Sequence, residues 1–175
     1  MNRKRRIAVV ALAIVGVSAA AAAAAPHAVD QRPHHDPPGA AKPTRTVEHD
    51  AVFGRSVTVR QVDRRRGLIF VLDGSAVMGS GLAIKLAAGA PRATRDALLS
   101  RPLAATCHVP GTKVHEFAGR WNARFRQFGT ALTTDDPAIN VADRATDCVL
   151  YVGREGATSD TAYFDGPPFS RVRMR

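Results

Sequence analysis

Residues 2–25 constrain everything that follows them. Asn2-Arg3-Lys4-Arg5-Arg6 is basic, and the nineteen residues from Ile7 to Ala25 are apolar apart from Ser18. A positive start, an apolar centre and a small-residue end form the pattern of a secretory signal. Signal peptidases require small residues three and one positions before the cut. Ala22 and Ala24 meet that need, so the cut is expected after Ala24, with Ala23 and Ala28 as alternative ends. The competing reading is an uncleaved anchor, since a bilayer span takes roughly 20 apolar residues. The terminal alanine run partitions weakly into lipid, which favours cleavage. The cationic start keeps the N-terminus cytoplasmic in either case. The remainder of the chain is therefore expected to fold outside the cytoplasm, secreted or at the cell surface, where thiols oxidise.

The formal charge of +10 is unevenly spread. The leader carries +4, residues 26–50 carry −1, and residues 51–175 carry +7, nearly all of the positive charge from arginine. Such an excess attracts anionic glycans, teichoic-type polymers, lipid head groups or extracellular DNA, and also aids solubility. The groups that point this way are Arg64-Arg65-Arg66, Arg124 with Arg126, and the alternating Arg171, Arg173 and Arg175. The first two groups are the candidate anion-binding residues. Arginine on strand edges also discourages aggregation. Aromatic residues make up only 6% of the chain, too few for a platform that stacks sugars or bases.

Residues 25–50 are rich in proline, charge and histidine, with almost no large apolar residue. A segment of that composition cannot bury enough surface to offset its ordering entropy, so it reads as a disordered spacer. His27, His34, His35 and His49 lie near Asp30, Asp36 and Asp50, which makes weak metal capture conceivable. The tight amino-terminal copper clamp, with histidine third, fails here. It needs a deprotonated backbone amide at the second position, and Pro26 has no N–H.

A single domain is expected over 51–175, an ordinary size for one core. Short apolar runs alternate with turn signals. Ser56–Val62 and Leu68–Leu72 read as strands, joined through Arg64–Gly67 and ended by Asp73-Gly74. Gly79-Ser80-Gly81 precedes a strand over Leu82–Leu86. Pro91–Ser100 has helical spacing, with proline suited to a first turn. Leu103–His108, Trp121–Phe128, Cys148–Val152 and Thr161–Phe164 read as further strands. In the second of these, Trp121, Ala123 and Phe125 face inward and Arg124 and Arg126 outward. The sum is a mainly β domain with one short helix; the alternative is an α+β arrangement.

Cys107 and Cys148 are the only cysteines and lie 41 residues apart. In an exported chain they are expected to pair, and closing such a loop stabilises by about 4 kcal/mol through chain entropy. A redox role is weak without Cys-x-x-Cys. The order Cys107, Trp121, Cys148, together with the approach Asp143-Arg144-Ala145-Thr146-Asp147-Cys148, resembles the Cys…Trp…Cys pattern of immunoglobulin-like sandwiches over residues 103–164. The family's corner tyrosine is replaced by Thr146. The resemblance implies a disulfide-stapled β-sandwich whose bridge joins facing sheets, with Trp121 packed on it.

No hydrolase elbow, nucleotide-binding loop or calcium loop is present. Gly74-Ser75 and Gly79-Ser80-Gly81 lack the Gly-x-Ser-x-Gly spacing. His108, His115 and Glu116, with Asp135-Asp136, form the one set able to do acid–base work if the fold brings them together. Asn122 and Asn140 lack the following Ser/Thr of a glycosylation site. No cofactor is expected, and membrane contact is expected only through residues 7–25 if uncleaved. The expected function is a non-catalytic secreted or envelope domain with a structural or macromolecule-binding role, its partner an anionic surface polymer. The alternatives are a small secreted hydrolase and metal capture by the spacer.

Overall fold

The computed structural model describes residues 42–52, 54–75, 77–115, 117–154 and 166–175. Within them the strands are β1 Thr44–Asp50, β2 Gly54–Asp63, β3 Leu68–Ser75, β4 Gly79–Leu86, β5 Leu103–His108, β6 Val114–His115, β7 Phe117–Gly119, β8 Gln127–Thr134, β9 Asp147–Val152 and β10 Ser170–Arg173. The helices are α1 Arg92–Ser100 and the single turn α2 Val141–Arg144. The strands form two antiparallel sheets, ordered β1-β2-β3-β4-β8-β6 and β10-β9-β5-β7.

Period-two alternation sets the inner face of the larger sheet. Val59, Leu72 and Leu82 are cross-strand neighbours, as are Phe70, Ile84 and Phe128, and all six are buried. The smaller sheet contributes Leu103, Ala105, Cys107, Cys148, Leu150 and Val172 to the same apolar cluster. One core shared by two sheet faces is a β-sandwich. A smaller cluster of Ala104, Val149 and Tyr151 lies on the opposite face of the smaller sheet.

Each helix carries the chain between the sheets at one end of the sandwich. Helix α1 leads from β4 to β5 and sinks Thr94 and Leu98. Gly67 sits against its approach: a Cβ there would lie 2.6 Å from Ala90 Cα, and φ is +63°, so only glycine fits. Helix α2 leads from β8 to β9 and buries Val141 and Ala142. Asn140 caps it by accepting from the Ala142 N–H at 3.0 Å, and Ser80 Oγ accepts from the Val141 N–H at 3.0 Å.

Four sequence expectations are corrected. Thr44–Asp50, assigned to the spacer on composition, forms edge strand β1 in register with β2. It is exposed along its whole length, so backbone pairing holds it rather than apolar burial. Asp73-Gly74 does not end β3, which runs on to Ser75. Trp121–Phe128 is not one strand, because residues 123–126 form a turn and β8 starts at Gln127. The bridge between Cys107 and Cys148 forms, but these residues face each other on neighbouring strands of one sheet. It staples β5 to β9 rather than joining facing sheets. The leader, the spacer as far as Ala41 and Thr161–Phe164 lie outside the described residues. Arg171 and Arg173 belong to β10, which pairs with β9.

Candidate anion-binding pole

Strand register decides which turns share an end. Asp63 pairs with Leu68, Leu68 with Leu86, and Lys85 with Gln127. The turn at 64–67, the exit of β4, the start of α1 and the turn at 123–126 therefore lie at one pole. The structure brings Arg64, Arg65 and Arg66 to the same end as Arg124 and Arg126, although 57 or more residues separate the two groups. Lys85, Arg92, Arg95 and Arg154 add exposed cations there. The described carboxylates at this pole are Asp63 and Asp96. Asp63 accepts from Ser170 Oγ at 2.6 Å and from the Arg66 N–H at 3.1 Å, and Asp96 lies 3.6 Å from Arg92. Glu155, Asp160 and Asp165 belong to the connection 155–165, outside the described residues.

The turn that carries Arg124 and Arg126 is closed by two backbone hydrogen bonds. The Asn122 N–H donates to Gln127 O at 2.8 Å, and the Gln127 N–H donates to Asn122 O at 3.2 Å. Asn122 Oδ1 accepts from the Phe125 N–H at 3.1 Å, which shapes the loop from within. Arg126 takes a left-handed φ of 54°, unusual for a residue with a side chain. Phe125 ends at the tip, 65% exposed, with the Arg124 guanidinium 5.6 Å from its ring centroid. Arg66 behaves differently. Its guanidinium stacks on Phe169 at 4.2 Å, fixing the neighbouring turn against the start of β10.

The opposite pole organises its arginines around one carboxylate. Asp143 on α2 pairs with Arg45 of β1 and bidentately with Arg55 of β2, at 2.5 and 3.1 Å. Its backbone carbonyl accepts from Arg175 at 3.1 Å. The Arg55 hydrogen bond, reinforced by the charges of Arg55 and Arg45 against a smaller desolvation effect, holds the Asp143 carboxyl below the usual carboxylate range. The same contact raises Arg55 above its ordinary value. Sequence inspection does not flag this cluster. Its members come from four separate segments, and no local spacing signals it.

The acid–base candidates are only partly gathered. His115 Nε2 lies 2.6 Å from Asp135 Oδ1, with both side chains well exposed. The pair latches β6 to the loop after β8. His108 stands opposite Asp147 at the ends of β5 and β9, and its carbonyl accepts from the backbone N–H and Oγ1 of Thr146. Glu116 lies outside the described residues. The candidate serines are committed elsewhere: Ser75 Oγ accepts from the Met78 N–H at 2.9 Å, and Ser80 Oγ serves α2. Among the described residues no group of three His, Cys, Asp or Glu side chains is placed to hold a metal. His27, His34 and His35 lie outside them, and His49 stands exposed on β1.

The molecule is thus a disulfide-bonded antiparallel β-sandwich with one strongly cationic pole. No known family, curated protein or solved structure matches the chain. Among the described residues, no helix is long and apolar enough to cross a membrane. The disulfide fits an oxidising compartment.

Proposed function

We propose that this chain is an exported, non-catalytic domain that docks on an anionic macromolecular surface of the cell envelope through its basic pole. One observation carries the reading: strand register gathers Arg64, Arg65, Arg124 and Arg126 at one end, and no described carboxylate pairs with any of them. Unpaired surface cations focus potential and raise the local concentration of an anionic partner. The leader and the disulfide support the extracytoplasmic setting.

The test is retention of the exported chain on immobilised heparin, a model polyanion, as salt is varied. Retention at low salt that falls steeply with ionic strength is expected. The quadruple variant Arg64→Glu/Arg65→Glu/Arg124→Glu/Arg126→Glu should bind roughly tenfold or more weakly at low salt. Co-elution of this variant with the native chain, or negligible retention of the native chain, would overturn the reading.

A further inference from the structure

We infer that the tip Arg124-Phe125-Arg126 is a bilayer contact: Phe125 inserts at the headgroup boundary of an anionic membrane while the flanking arginines bind lipid phosphates. The inference rests on the electrostatic reading above and names the class of surface. Two observations carry it.

The first is the combination of chemistries at the tip. A sulfated or phosphate polyanion binds through charge and gains little from a lone phenyl ring, whereas a membrane interface accepts an aromatic ring with cations beside it. Phe125 is mostly solvent-exposed and Arg124 and Arg126 are both exposed, so both parts of the contact are presented together. Leu99, on the exposed side of α1, adds a second apolar side chain at this pole.

The second is rigidity. The tip is closed across Asn122 and Gln127 and braced by Asn122 Oδ1. It projects Phe125 outward although Arg126 takes a left-handed backbone that residues with a side chain disfavour. Because the backbone that carries the ring is fixed before contact, less ordering entropy opposes insertion.

The experiment uses the exported chain, whatever its N-terminus, carrying Phe125→Trp as a reporter. The signal of native Trp121, measured on the unsubstituted chain, is subtracted. Vesicles contain acyl-brominated phosphatidylcholine, alone or mixed three to one with acyl-brominated phosphatidylglycerol. The expected result is that bromine quenches the reporter by about half or more in anionic vesicles and little in zwitterionic ones, as for interfacial depth. Quenching should vanish when Arg124→Glu and Arg126→Glu are added. Phe125→Ala should weaken sedimentation with anionic vesicles severalfold and leave heparin retention unchanged. An unquenched reporter on a chain that heparin still retains overturns the bilayer contact and leaves the electrostatic reading standing. Failure on both heparin and vesicles overturns both.

Discussion

Asp143 holds three arginines at one end of the sandwich, while at the other end Arg64, Arg65, Arg124 and Arg126 reach solvent with no described carboxylate to receive them. The disulfide, the Asn140 cap and the Ser80 contact with α2 all lie toward the Asp143 end. The cationic end has α1 and a tight glycine contact beneath its turns, and on top of them the charge of Arg64, Arg65, Arg124 and Arg126, which no described carboxylate ties to the fold. The same residue type thus stands in two different settings. An arginine becomes an internal tie when folding delivers a carboxylate from a distant segment, and faces solvent when folding delivers none.

Four variants separate the two ends, in falling order of effect. Replacing Cys107 and Cys148 by alanine should lower stability by about 4 kcal/mol. Heparin retention of the molecules that remain folded should not change. Denaturant melts and salt elution on the same samples check this, and lost retention by folded protein would tie the two poles together. Leu98→Ala empties a fully buried site under α1 and should cost about 3 kcal/mol, measured by chemical denaturation.

Asp143→Asn should cost about 1 kcal/mol or less at neutral pH, because the cluster is partly solvated. Its pH dependence has a defined sign. The folded-state carboxyl titrates below the unfolded one, so its contribution is complete above the ordinary carboxylate range. It disappears as the pH falls through the depressed folded-state value. Melting curves of the native and Asn chains should therefore converge in acid and separate toward neutrality. Arg126→Gly should have the smallest effect, a gain of up to about 1 kcal/mol from relief of the left-handed backbone. The same change removes a cation, so heparin elution should move to lower salt while the melting temperature rises.

Legibility in the sequence followed local periodicity. β2, β3, β4, β5 and β9 announce themselves through alternating or continuous apolar residues, and the cysteine pair follows from its setting. β1 has one apolar side chain, Val47, and is held by backbone pairing and by an arginine that meets a carboxylate 98 residues away. β8 hides for a related reason: Phe128 and Leu132 are its buried residues, separated by Gly129, Thr130 and Ala131. The alternation from Trp121 to Arg126 imitates a strand, but Asn122 Oδ1 and the backbone at Arg126 fold it into a turn. The arginines of the basic pole were each visible along the chain. Their convergence depends on strand register, which no single segment encodes.

Arg45 near the start of the sandwich and Arg175 both clasp Asp143 on a helix of a single turn. The two segments are 130 residues apart in sequence, yet loosening either one means giving up a contact with the same residue. One carboxylate-bearing turn thus ties two remote stretches of the chain without a second disulfide.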